Sequence, residues 1–211
     1  MTADDVPRLG GFSQVEAHAL RELSPSTGTK FPMSSFQNVF ALRMLLAIAS
    51  IVAYAVLVQL SPFVEAIDGV PYLNTGFHLV VGATFGAFVM VPYARAPRRL
   101  LRSLLLAGAA AAIYYAAIRF VVDGPAGLDA LTSFAIAGAG AALLCGIAVS
   151  AVAPQTFDLR LGALLLLIAG AVGGAAFDVK VSYDPNLLLG HAAWQLLTCL
   201  ALIFGSRSAS T

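Results

Sequence analysis

Hydrophobic residues occur along this chain in six long runs, separated by short stretches rich in polar residues, proline and glycine. A helix needs about 20 residues to cross a hydrocarbon layer roughly 30 Å thick. The runs have about that length and lack the alternation that barrel strands show. The pattern predicts an all-α, polytopic bundle of six transmembrane helices, with seven as the alternative. We place the six near residues 38–60, 76–93, 101–122, 129–153, 159–177 and 186–205.

The remaining residues are assigned to two tails. Residues 1–34 are polar and punctuated by glycine, proline and serine, which is typical of a mostly flexible segment. We expect no cleavable signal peptide, because the first apolar run starts far from Met1. The predicted organisation is a cytoplasmic tail at 1–34, a transmembrane domain at 35–205 and a short cytoplasmic tail at 206–211.

Composition supports a membrane environment. Hydrophobic residues make up 59% of the chain and charged residues only 11%, whereas a soluble domain carries roughly a quarter charged residues. Membrane lipids are therefore the predicted surroundings, and nucleic acid is not an expected partner. The oligomeric state is left open.

The positions of Lys and Arg predict the orientation. If the amino terminus is cytoplasmic, ten of the twelve basic residues fall on the cytoplasmic side, and the short loop at Arg95–Arg102 contributes most to the bias. Only Arg119 and Lys180 fall on the outer side. We expect a multi-pass protein of the cell membrane with both termini in the cytoplasm. Arg119 is expected to reach the interface, to pair with Asp123 or to bind a lipid head group.

Small residues recur within the predicted helices. In lipid, faces of small residues let helix backbones approach closely, which supplies much of the association energy. We therefore expect these glycines to pack the bundle, and the two cysteines to be small buried residues. The positions are Gly82, Gly86, Gly108, Gly138, Gly140, Gly170, Gly173 and Gly174, with Cys145 and Cys199.

Three ionisable side chains are predicted to fall at one depth near the outer face. His78 lies about one turn inside the second helix, His191 about one turn inside the sixth, and Asp178 at the end of the fifth. Ionisable groups at membrane depth are costly and are functional candidates by default. Two imidazoles and a carboxylate are a ligand set that suits zinc with an open position for water.

Neighbouring polar residues share helix faces with the two histidines. Asn74 and Thr75 precede His78 at helical spacing, and Trp194 and Gln195 follow His191 in the same way. We regard them as further site candidates. Two other interpretations stay open: the histidines are interfacial or hydrogen-bonded to neighbours, or they ligate a haem between the second and sixth helices.

The last apolar run carries a local resemblance. The segment Asp184-Pro185-Asn186-Leu187-Leu188-Leu189-Gly190-His191-Ala192-Ala193-Trp194-Gln195-Leu196-Leu197 resembles the last-helix signature of the alkaline ceramidase-like (CREST) superfamily. Thr75-Gly76-Phe77-His78 is similar, more loosely, to that family's early Ser-x-x-Phe-His element. The resemblance implies a membrane-embedded zinc hydrolase of lipid amides or related lipids. His78 and His191 would be zinc ligands, and Asp178 and Thr75 the catalytic candidates.

The sequence also departs from that family. Gln195 stands where the motif has a second histidine, no acidic residue follows His78 within its helix, and six helices are predicted instead of seven. If zinc is bound, Asp178 has to replace the missing ligand. Three functions remain: a zinc-dependent hydrolase of a lipid-like substrate or a degenerate relative, a non-catalytic component such as a small transporter, lipid binder or complex subunit, and a haem protein.

Overall fold

The computed structural model describes residues 33–65, 71–154, 156–178 and 188–206 of the 211-residue chain. Within these ranges the backbone forms six α-helices and no β-sheet. They are α1 (Met33–Glu65), α2 (Pro71–Phe85), α3 (Arg99–Asp123), α4 (Ala130–Val152), α5 (Leu159–Ala175) and α6 (Leu188–Phe204). The all-α, six-helix prediction is confirmed. The predicted tails at 1–34 and 206–211 lie almost wholly outside the described residues.

Short non-α turns extend two of the helices. A π-helical turn at Gly86–Met90 and a 3-10 turn at Val91–Tyr93 continue α2, and a 3-10 turn at Ala176–Asp178 continues α5. With these extensions, five helical spans among the described residues are long and apolar enough to cross a membrane. α6 is a shorter apolar helix of 17 residues, and residues 179–187, which include the start of the predicted sixth span, lie outside the described part.

Large apolar side chains cover the outside of the bundle. Leu100 is 75% exposed, Val122 69%, Leu161 66% and Leu45 63%. A protein surrounded by water rarely exposes so much contiguous apolar surface, because each exposed side chain forgoes the free energy of burial. These positions lie on three different helices, α1, α3 and α5, so the lipid-facing surface is not confined to one patch.

Glycines set the closest helix contacts. A Cβ added at Gly138 of α4 would meet the backbone of Gly170 and Gly174 on α5, and one added at Gly173 would meet the Trp194 backbone on α6. On the other side, Gly82 of α2 lies against the α3 backbone. These glycines are packing residues, as predicted. Gly108 and Gly140 differ, because a Cβ at either would meet nothing within 4 Å in the described structure.

Two aspartates cap the amino-terminal ends of helices: Asp129 caps α4 and Asp158 caps α5. Asp129 accepts a 2.6 Å hydrogen bond from the Thr132 backbone N–H, and that bond lowers the pKa of the exposed Asp129 carboxyl. Asp158 caps α5 in the same way, and its own N–H donates to the Gly205 carbonyl at 2.9 Å. The α4–α5 turn and the end of α6 therefore lie at the same end of the bundle.

Candidate functional site

His191 and Tyr114 form a buried polar pair. The Tyr114 hydroxyl lies 3.1 Å from Nε2 of His191 and shares a hydrogen bond with it. His191 is only 4% exposed, although it lies one turn inside α6. The preceding residue, Gly190, has no side chain, which lets the Phe177 ring pack directly against the α6 backbone. α3 and α6 thus meet through a polar contact surrounded by apolar residues.

Aromatic rings enclose His191 on its other sides. The Tyr54 ring of α1 lies 3.8 Å from the imidazole, centroid to centroid, and the Phe177 ring meets it edge-on at 4.8 Å. Phe177 in turn stacks on Phe134 of α4 at 5.4 Å. Four other helical segments therefore place rings around this site, and the imidazole is shielded from both lipid and water.

His78 lies near the same tyrosine. Its ring centroid is 6.2 Å from that of Tyr114 and 5.8 Å from that of Phe77. The side chain is half-buried, and its Nδ1 atom has no hydrogen-bond partner among the described residues. The sequence predicted that His78 and His191 fall at one depth, and in the structure both rings are neighbours of Tyr114.

The remaining predicted site residues are distributed differently. Asp178 follows directly after Phe177 and is partly exposed, and Thr75 is partly exposed near the start of α2. The side chain of Asn74 lies outside the described residues. Trp194 donates its indole N–H to the Gly138 carbonyl at 3.1 Å, which ties α6 to α4. Gln195 is 1% exposed.

The described residues do not assemble the ligand set that zinc would need. No group of three His, Cys, Asp or Glu side chains in the described part of the chain is arranged to hold a metal ion. The zinc site stays a prediction, and we derive no reaction step from it. A haem fits poorly as well, because Tyr54, Tyr114 and Phe177 occupy the space around the His191 ring.

A small cleft opens beside the His191–Tyr114 pair. It has a volume of about 70 Å³ and lies between α3, α4, the end of α5 and α6. Buried Tyr114, Gly138 and His191 line it on the inside, and partly exposed Ile118 and Val121 line it toward the outside. Because almost all of the lining is apolar, the cleft favours an apolar occupant.

Sequence reasoning missed Tyr54 and Tyr114. Tyrosine in membrane proteins is most frequent at the interfaces, yet both of these are buried within spans. A buried phenol needs a hydrogen-bond partner. The position of Tyr114 well inside a predicted span was therefore the signal that could have identified it.

Two basic residues within the spans, Arg43 and Arg119, have side-chain partners. Arg43 donates to the Tyr93 hydroxyl at 2.9 Å, and its guanidinium carbon lies 4.1 Å from the centroid of that ring. Arg119 forms an ion pair with Asp123, one turn later on α3. Of the three expectations for Arg119, the structure shows the pairing with Asp123.

The fold and its apolar exterior define the class of this protein: it is a multi-pass α-helical membrane protein. Neither a protein-family model, nor a curated protein, nor a solved structure matches the chain.

Proposed function

We propose that this protein is a non-catalytic membrane component that binds the apolar end of a lipid-like molecule in the cleft beside His191. The observation that carries the proposal is the cleft itself, an apolar space between four helical segments within the membrane-spanning region. Apolar ligand sites are usually largely preformed and contain a few convergent polar groups. Here those groups are Tyr114 and His191.

The size of the cleft limits what enters it. An apolar cavity of roughly 150 Å³ holds a benzene molecule, and this cleft has a volume of about 70 Å³. It therefore suits the end of an acyl or isoprenoid chain but not a whole lipid. Ile118 and Val121 at its outer side belong to α3, whose neighbouring residue Val122 is 69% exposed. An acyl chain would enter sideways from the bilayer.

The polar pair favours binding over hydrolysis in this arrangement. Tyr114 and His191 hydrogen-bond to each other, so an apolar chain can lie beside them without leaving that bond unmade. The described residues contain no group of three His, Cys, Asp or Glu side chains that could hold a metal ion here. The zinc-dependent hydrolase remains a separate prediction that metal analysis tests.

Photo-cross-linking in reconstituted vesicles tests the proposal. A phospholipid with a diazirine near the end of one acyl chain is expected to label cleft-lining residues of α3 and α4. Ala117 lines the cleft, so Ala117→Phe should fill it and abolish that labelling. Ala116 is exposed on the same helix, so Ala116→Phe is the matched control and should keep it. Labelling that is spread evenly over all lipid-facing helices, or that is insensitive to Ala117→Phe, would contradict the proposal.

A further inference from the structure

α1 and α6 meet along two helical stripes, each of which carries three polar residues. On α1, the residues Arg43, Ala47, Ser50 and Tyr54 follow at spacings of four, three and four and therefore share one face. On α6, the residues His191, Gln195, Thr198 and Cys199 share a face in the same way. We call this contact the α1–α6 seam.

Two contacts fix the register of the seam at its ends. Tyr54 stacks on His191 at 3.8 Å, and the Cys199 thiol lies 3.7 Å from the Arg43 carbonyl and donates to it. The chain directions are opposite, so Ser50 of α1 falls at the level of Gln195 and Thr198 on α6. From Arg43 to Tyr54 the stripe covers about 16 Å of helix, which is roughly half of the hydrocarbon thickness.

The middle of the seam holds polar atoms without partners. Ser50 is 1% exposed, Gln195 1% and Thr198 0%. Their atoms Ser50 Oγ, Gln195 Oε1 and Thr198 Oγ1 have no hydrogen-bond partner among the described residues. Buried polar groups in folded proteins are almost always hydrogen-bonded, to protein atoms or to ordered water. Three such atoms in one layer are therefore too many for a dry contact.

We propose that the α1–α6 seam is a binding site for ordered water near the middle of the membrane. Two hydroxyls, which donate and accept, and one amide oxygen, which accepts, match the bonding capacity of water. No carboxylate lies on either stripe, which argues against a cation. The guanidinium of Arg43 already bonds to Tyr93, which argues against an anion.

The seam is closed at both ends, so we assign it bound water and no transport path. The Tyr54–His191 stack closes one end, and the contacts of Arg43 with Tyr93 and Cys199 close the other. Between these two ends, bound water would join α1 to α6 through hydrogen bonds. In the described part of the chain, none of the close glycine contacts involves α1. The water thus supplies polar contacts between two helices.

Hydroxyl-radical labelling with isotopically labelled water tests this directly, because radicals form wherever water is bound. Cys199 is 2% exposed and adjoins Thr198 in the seam, whereas Cys145 is 1% exposed within the apolar core of α4. If burial alone determines the rate of labelling, the two thiols should be equally protected from hydroxyl radicals. We expect fast label uptake at Cys199 and none at Cys145. Equal protection of the two thiols would show that the seam is dry and would overturn the proposal.

Thermal unfolding in detergent supplies the second readout. If Ser50 and Gln195 share bound water, Ser50→Ala and Gln195→Leu should each lower the unfolding temperature, and the double variant should lose less than the sum. In a dry seam, each replacement removes an unpartnered polar atom and should raise the unfolding temperature. Additive losses, or a rise, would contradict shared water even if Cys199 were labelled. Thr84→Val is the control, since the Thr84 hydroxyl donates within its own helix to Val80.

Discussion

The contact between α4 and α5 should be intolerant of a single methyl group at Gly138. An added Cβ there would meet the carbonyl oxygen of Gly170 and lie 2.7 Å from the Cα atom of Gly174. Both neighbours are backbone atoms, so no side-chain rotation relieves the clash. Gly138→Ala therefore requires the two helices to move apart. It also displaces the carbonyl that accepts the Trp194 indole N–H at 3.1 Å.

The expected magnitude follows from three contributions. Replacing glycine by alanine inside a helix stabilises by about 1 kcal/mol through backbone propensity. Overpacking a close contact costs about 1–3 kcal/mol, and a lost hydrogen bond in a membrane protein costs about 0.6 kcal/mol on average. For Gly138→Ala these contributions give a net loss of roughly 0.6–2.6 kcal/mol, and we expect the upper part of that range because the clashing atoms are rigid.

Gly140 on the same helix provides the matched control. A Cβ at that position would meet nothing within 4 Å of the described residues, so Gly140→Ala should be neutral or stabilising by up to about 1 kcal/mol. Both variants are compared with the parent by equilibrium unfolding in mixed detergent micelles. If Gly138→Ala is as stable as Gly140→Ala, the α4–α5 contact is looser than the structure has it, and the reasoning fails.

Three further predictions follow from the sequence and the structure. Cysteine labelling in intact cells should place the Arg95–Arg102 loop and the end of α6 on the cytoplasmic side, and an extracellular loop there would refute the predicted orientation. Lowering the pH through the depressed pKa of Asp129 should weaken the α4 cap, because the carboxylate form accepts the Thr132 N–H bond; the stability of Asp129→Asn should not change over that range. If the zinc prediction is right, elemental analysis should find zinc in the parent, more in Gln195→His and none in His191→Ala, whereas equal, near-zero zinc in all three would exclude it.

The helices were predictable from the sequence because their cause is local. A run of about 20 apolar residues satisfies its backbone internally only as a helix when it lies in lipid. The predicted span at 76–93 matches the observed Thr75–Tyr93, although the structure reaches Tyr93 through a π-helical and a 3-10 turn. Gly86, where the π-helical turn begins, lies close to the α3 backbone, and no local pattern encodes that contact.

The rotation of each helix about its own axis could not be predicted from the sequence pattern. Gly138 and Gly140 lie on one helix and in one Gly-Ala-Gly stretch, yet only Gly138 faces α5. Lipid accepts apolar side chains on every face, so a membrane helix shows a weaker pattern of inside and outside than a soluble one. The sequence brought His78 and His191 to one end of the bundle but did not find Tyr114, which neighbours both.

Gln195 departs from the family motif, yet its position in the structure is informative. In the family that the α6 segment resembles, a histidine ligand would stand there, and its replacement suggests only lost chemistry. In the structure Gln195 is 1% exposed, and its amide oxygen shares the α1–α6 seam with two hydroxyls, none of which has a partner among the described residues. A buried amide oxygen without a hydrogen bond costs free energy when the protein folds. Bound water at that level would remove the cost, and so the seam, more than the incomplete ligand set, accounts for the polar residues of α6.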